Sequence, residues 1–375
     1  PYRVIVSEFM LHRTQTNQVI PVFKVFIVNY PSLEDFYNAD KQEVETILEP
    51  LGLRWRIRGM VKALDALWET YGKIPNEYEK LIELDGIGLS LIEISHRSKE
   101  FVAIMEKARS LALELLGLEG KGYSALYLQG GASLQFLMVA YNFLENKAGY
   151  INTGTWSTKA IKEAKLLGDV LEVASSKDKN FNYIPRGYVV PNDLDYLHLT
   201  SNNTIFGTQI KEFPDTKVPL ICDMSSDIFS RQMDFSRFDL IYAGAQKNMG
   251  PAGTTLVVVK DEILGDVSRK IPSMLDYQVH LSKDSMFNTP AVFAVYVSML
   301  TLQWLKDLGG IAAIEEINEK KASLIYSEID LNPLFNGFAK KEDRSSMNAT
   351  FTLTDESLKD TFDEMWKEAG INGLN

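Results

Sequence analysis

A single cysteine, Cys222, stands in a chain of 375 residues, so neither an internal disulfide nor a four-cysteine metal or iron–sulfur site can be built from its own thiols. Cys222 sits inside an apolar run, and packing is the role expected of it. No apolar stretch approaches the roughly 20 residues that a membrane-spanning helix needs. No charged-then-apolar leader precedes the first predicted helix, so the sequence reads as cytoplasmic. Positive charge is short as well: 39 Lys and Arg stand against 50 Asp and Glu, a formal net charge of -11. That balance argues against a protein whose main work is holding nucleic acid, although a local basic patch is compatible with it. Low-complexity linkers and repeats are lacking too. What is there, 45% hydrophobic and 24% charged residues, suffices for a large core in two or three domains.

Residues 3–11, 17–29, 41–51, 57–71 and 76–84 carry apolar side chains at three- and four-residue spacing and predict an all-α segment. The segment ends in L-D-G-I-G, where Gly86 and Gly88 let a tight turn expose backbone N–H groups, as a helix-hairpin-helix does when it grips a DNA phosphate. The same pattern also occurs at ordinary helix ends. Residues 1–86 hold 10 basic and 13 acidic side chains, so Arg54, Arg56, Arg58 and Lys62 make a local patch at most.

From residue 100 onward an amphipathic helix leads into alternating strands and helices, the pattern of an α/β layer fold. The organising stretch is 218–250. Two short apolar runs, 219–222 and 240–242, read as buried strands, and each releases polar residues at its C-terminal end: Asp223 in the first, Gln246, Lys247 and Asn248 in the second. Ligands of open α/β sheets bind at that edge. A carboxylate and an amine delivered there suit a cofactor with a ring nitrogen and an aldehyde, which describes pyridoxal phosphate; an ordinary strand-end Asp with a solvated Lys fits equally well. Three further strand ends offer small or polar groups. Gly130-Gly131 precedes a helix opening at Ala132-Ser133, where bare N–H groups would face an anion. Trp156 follows a second predicted strand, and Thr204 a third that contains His198, expected to be a core histidine.

The wording of these stretches resembles a known family. D-M-S-S-D-I-F-S-R with Y-A-G-A-Q-K-N-M-G-P-A-G, G-L-S-L-I-E-I-S-H-R-S from Gly88, and T-G-T-W-S closely resemble the phosphoserine aminotransferases, fold-type I pyridoxal-phosphate enzymes, over most of residues 89–375. The resemblance implies a large cofactor-binding domain over 89–305 and a smaller α+β domain over 306–375. It implies Lys247 as the catalytic amine that holds the cofactor aldehyde, and Asp223 as partner of the ring nitrogen. Trp156 would stack on the ring, Thr204 would bond its oxygen, and Ala132, Ser133 and Gln246 would hold its phosphate. Asn288 and Thr289, in D-S-M-F-N-T-P, would reach the phosphate of a neighbouring subunit, giving a homodimer with shared sites. Their other reading is local, as a cap with Pro290 opening the helix that follows. His96 and Arg97 would recognise the substrate's phosphate, on phosphoserine or a related phosphorylated hydroxythreonine. The chain stops at G-I-N-G-L-N, before the positions where the family supplies a histidine-arginine pair and an arginine for the α-carboxylate, so a loss of activity is expected.

Residues 1–16, with L-G-L-R-W-R-I-R and the Gly86–Gly88 hairpin, resemble a second family: the endonuclease III and mismatch-specific DNA glycosylases. Glu8 would fall on its base-protonating glutamate and Arg13 on a residue inserted into the duplex. The catalytic aspartate and cysteine cluster of that family do not follow. Residues 1–88 therefore read as an incomplete all-α unit joined to the aminotransferase at a shared G-L-S, a chimera, with nucleic acid as partner only under this alternative.

Overall fold

The computed structural model describes residues 2–11, 16–51, 54–71, 90–91, 93–265, 267–369 and 371, in two compact units, Pro1–Ile94 and Ser95–Asn375. Among its described residues the first unit has helices as its regular elements: α1 (Tyr2–Leu11), α2 (Thr16–Asn29), α3 (Leu33–Tyr37), α4 (Lys41–Leu48) and α5 (Arg54–Tyr71). Their apolar stripes meet in one core containing Val6, Met10, Phe26, Phe36, Val44, Leu48 and Leu64. Each such side chain contributes about 1.5–3 kcal/mol on burial. The short α3 was not expected from the pattern. Ser32 caps it, with Asp35 returning a bond to the Ser32 N–H, a box legible in S-L-E-D. The helix expected over 41–51 ends at Leu48 and continues as one 3-10 turn, Glu49–Leu51, around Pro50, which has no N–H to donate. The helix expected over 76–84 lies outside the described residues.

The second unit is built on a seven-stranded sheet. Its strands are β1 (Tyr123–Leu128), β2 (Lys147–Asn152), β3 (Asp169–Ser175), β4 (Tyr196–Thr200), β7 (Leu220–Asp223), β8 (Leu240–Gly244) and β9 (Thr255–Lys260), in the order β1-β9-β8-β7-β4-β2-β3. Two residue pairs, β5 (Asn202–Asn203) and β6 (Thr208–Gln209), form a separate ribbon beyond β4. All neighbours in the large sheet are parallel except β9, which runs against both β1 and β8. The central strands L-I-C-D and L-I-Y-A-G are buried on both faces, and so read as continuous apolar runs rather than alternating ones.

Helices α6 (Lys99–Leu115), α7 (Gly131–Phe143), α8 (Thr155–Ala164), α9 (Tyr277–Leu281), α10 (Val292–Asp307), α11 (Gly310–Leu331) and α12 (Lys359–Glu368) complete the described residues, with a small ribbon of β10 (Phe335–Gly337) and β11 (Phe351–Leu353). Phe136, Val139 and Ala140 of α7 and Ala160 and Ile161 of α8 pack on the face carrying Tyr150, Tyr196, Tyr242 and Val257. Register puts Thr200 beside Asp223 and Asp223 beside Tyr242 on that same face.

One expectation is corrected. Helix α10 begins at Val292 with Ala291 at its cap and no side-chain cap bond, so Asn288 does not cap it and Pro290 does not open it. The purely local explanation of N-T-P is thereby removed.

Candidate active site

Parallel strands end together, and their C-terminal edge collects the chemistry. Asp223 closes β7 and is buried at 4% exposure. One of its oxygens, Oδ1, accepts from the Ser225 N–H at 2.9 Å, the two-residue reach of an Asx turn. Ser225 Oγ in turn accepts from Gly244 N–H at 3.2 Å, which links the ends of β7 and β8. Ser201 fastens β4 to the same point, its N–H and hydroxyl meeting the Asp223 carbonyl at 3.0 and 3.1 Å. The Ser201 hydroxyl also meets Asp227, whose carboxylate is neutralised by Arg231 at 3.2 Å.

Lys247 follows β8 by three residues. Its Nζ lies 3.1 Å from Thr204 Oγ1 and 6.0 Å from the centre of the Trp156 ring. Burial holds the ammonium below the ordinary lysine range, and the charges of Asp223 and Asp227 restore part of the shift. Burial pushes the Asp223 carboxyl up, while Ser225 and Lys247 pull it back and Asp227 adds to the rise. A desolvated acid and amine that sense each other at one strand edge can hold a cationic ring and pass a proton.

Trp156 lies in the first turn of α8 rather than directly at the strand end, and Lys159 Nζ sits 4.4 Å over its ring. Its Nε1 is buried without a partner, as is Thr200 Oγ1. Gly154 holds that turn close: a Cβ there would come within 2.9 Å of Asn203 Oδ1. Ala132 and Ser133 occupy the first turn of α7, which starts at Gly131, one residue earlier than expected. Gly130 before them is left-handed, at φ 92°, and offers no side-chain cap, so the first N–H groups of α7 stay free for an anion. Gln246 is exposed and folds back on Gly244, where a Cβ would come within 2.7 Å of Oε1.

The N-T-P loop reaches the phosphate turn from another direction. Gln129, the residue before Gly130, donates its Nε2–H to the Thr289 carbonyl at 2.6 Å, while Asn288 is half-buried and Thr289 exposed. His96 is half-buried with an unpartnered Nε2, and Arg97 is exposed, its N–H bonded to Ser95 Oγ at 3.2 Å. No contact described joins either of them to Lys247 or Asp223. Ser225, Ser201, Thr200 and Gly154 were missed by sequence reasoning; only the D-x-S spacing of Asp223 and Ser225 carried a signal.

Glu8 falls on α1, and Arg13, Gly86 and Gly88 lie outside the described residues. The structure therefore adds nothing to the glycosylase reading. Among the described residues no helix is long and apolar enough to cross a membrane.

The sequence profile of the aminotransferase class-V family matches residues 77–371. The chain belongs to that class, and its cofactor is pyridoxal 5′-phosphate. It is 66% identical over 296 residues to the phosphoserine aminotransferase of Flavobacterium johnsoniae, covering 78% of this chain and 83% of that one. Among solved structures, phosphoserine aminotransferase from Bacillus circulans subsp. alkalophilus matches at 42% identity with a TM-score of 0.77, over 80% of this chain and 84% of that chain. The pyridoxal-phosphate-bound enzyme from Trichomonas vaginalis matches at 31% identity and a TM-score of 0.74, over 79% and 86%. Within its class the chain thus belongs to the phosphoserine aminotransferase family. The profile begins at residue 77, ahead of the G-L-S where a change of family was expected, and residues 1–76 lie outside it.

The residues present fit the cofactor. A buried carboxylate, an exposed lysine whose ammonium is partly desolvated, a tryptophan ring beside that lysine and a glycine turn with uncapped helical N–H groups are the groups that an aromatic aldehyde phosphate requires.

Proposed function

We propose that this chain exchanges an amino group between glutamate and 3-phosphohydroxypyruvate, giving 2-oxoglutarate and phosphoserine, as a step of serine biosynthesis. The observation that carries the reading is the convergence of Lys247, just beyond β8, Thr204, in the turn of the β5–β6 ribbon, and buried Asp223, at the end of β7. When bound, pyridoxal phosphate supplies an electron sink for the charge left on the substrate's α-carbon. Asp223 keeps a proton on the ring nitrogen, which its burial makes a strong electrostatic partner. Lys247 would hold the cofactor through its aldehyde, and its amine is placed to move a proton to and from the substrate's α-carbon. Trp156 would lie against the ring, and Thr204 would donate to its oxygen.

Ala132, Ser133 and Gln246 bind the cofactor phosphate, joined by Asn288 and Thr289 of a second copy in a homodimer. His96 and Arg97 receive the substrate phosphate, the guanidinium fork matching two of its oxygens. The purified chain with pyridoxal phosphate is expected to absorb near the visible edge, and Lys247→Ala to abolish that band. An unchanged band in the variant would overturn the assignment.

For the helical segment ahead of the family profile, which begins at residue 77, the reading is narrower. The helices of 2–71 enclose a core of their own, and we infer a module that takes no part in transamination. Salt-sensitive duplex binding that drops when Gly86 and Gly88 are changed would give it the glycosylase-like role; its absence would remove that role.

A further inference from the structure

Strand β1 is an edge of the large sheet, and every second residue turns its N–H and C=O outward, unpaired by the ladder. Two of those groups are taken by side chains. Arg109 of α6 donates Nε–H to the Ala125 carbonyl at 2.8 Å, and Tyr127 N–H donates to Ser285 Oγ at 3.0 Å. Arg109 also donates through Nη1 to Asp284 Oδ1 at 2.7 Å. Asp284 and Ser285 are consecutive, and both are left-handed, at φ 49° and 69°. A non-glycine residue there costs of order 1–3 kcal/mol and persists only where its surroundings over-determine it. The surroundings do so: Ser285 N–H closes back on the His280 carbonyl at 3.0 Å, and His280 packs edge-on against Phe287 at 5.7 Å. Two residues after Phe287 comes Thr289, whose carbonyl is held by Gln129 at the end of the same edge strand.

We propose that Arg109, Asp284 and Ser285 are positioning residues that moor the N-T-P loop to β1, so that Asn288 and Thr289 are held in one arrangement for the cofactor phosphate they meet. The inference rests on the reading that Asn288 and Thr289 meet the cofactor phosphate, and it adds what fixes them. The Arg109–Asp284 pair is worth little as a surface ion pair, with 61% of the Asp284 side chain exposed. Its weight is geometric, since it selects one backbone conformation for a turn that would otherwise relax. The Ser285 hydroxyl satisfies an edge N–H and fixes the second left-handed residue at the same time.

The test compares pyridoxal phosphate with pyridoxal, which lacks the phosphate, on the whole 375-residue chain. Asp284→Gly removes the Arg109 link while relieving the strain of φ 49°, so a merely structural role predicts no loss of melting temperature and no loss of affinity. Mooring predicts an unchanged or higher melting temperature for the cofactor-free chain, with pyridoxal phosphate bound about tenfold more weakly, the scale of one charge-assisted hydrogen bond, and pyridoxal unaffected. Ser285→Ala should show the same phosphate-specific loss. Asp284→Asn tolerates the left-handed conformation and still accepts from Arg109, so it should restore the parent ratio. Equal losses for both ligands, or a ratio unchanged in both loss variants, would overturn the proposal. Asn288→Ala separates the underlying reading: if it leaves the ratio untouched, the loop does not bind phosphate and both fall. If it lowers the ratio while Asp284→Gly and Ser285→Ala do not, only the mooring fails.

Discussion

The Lys247 ammonium lies 3.1 Å from the Thr204 hydroxyl across 43 residues of sequence, and both stand on loops that leave the same edge of the sheet. Parallel pairing of β4, β7 and β8 brings both to one side of the sheet, because every such strand releases its next residues there. With the amine placed there, burial lowers its affinity for a proton, and the two carboxylates behind it set how far.

Capture of an aldehyde requires the neutral amine, so the rate of cofactor binding should rise with pH through an inflection below the ordinary lysine value. Asp223 is the larger of the two opposing charges. Asp223→Asn should move the inflection to still lower pH, and it should also cost transamination about a hundredfold or more, since the ring nitrogen loses its anionic partner. Stopped-flow mixing with pyridoxal phosphate across pH, followed by steady-state assay, separates these effects. An inflection that stays put or rises in Asp223→Asn would contradict the electrostatic account.

His198 gives a second pH dependence. It is 1% exposed, its Nε2 lies 2.8 Å from Tyr242 OH, and burial pushes its pKa down to about 3. The unfolded chain takes up a proton near the ordinary value of 6.5 while the folded chain refuses it until about 3. Folding stability is therefore complete above that ordinary value and declines as pH falls through the window between them, by about 1.4 kcal/mol per pH unit for this one group. His198→Gln should remove that slope from the acid limb of urea unfolding. A parallel acid limb in the variant would show that His198 titrates alike in both states.

The sequence was most informative where chemistry and local geometry coincide. Asp223 and Lys247 were legible because a polar residue directly after an apolar run has few places to go except the sheet edge. Gly130-Gly131 was legible because a glycine pair before a helix leaves N–H groups bare. The support around them was not: Ser201 and Asp227 meet across 26 residues, Thr200 comes beside Asp223 only through strand register, and no local period records which strands become neighbours. Short elements escaped for a related reason. Helix α3 is five residues long and is held by a capping box rather than by a repeating apolar stripe. The N-T-P segment read plausibly as a helix start, and only the register of α10, which begins at Val292, removes that explanation.

Whether Asn288 and Thr289 serve their own chain or a second copy follows from subunit mixing. In the single chain the Thr289 carbonyl is bound to Gln129, beside the chain's own phosphate turn, while its side chain faces outward and is exposed. If the loop crosses, a dimer of one Lys247→Ala chain and one Asn288→Ala chain contains one site with both lesions and one with neither. If the loop stays home, each site keeps one lesion and nothing is gained. Random reassortment of equal amounts makes half of all dimers mixed, so a crossing loop returns about one quarter of the parental activity from two nearly inactive stocks, a gain that the isologous symmetry of a two-fold dimer requires. Activity no higher than the mean of the two stocks, after exchange has been verified by mass, would assign the loop to its own chain. The Arg109–Asp284 link would then moor the loop for its own chain's phosphate, because its own geometry is the same in either arrangement.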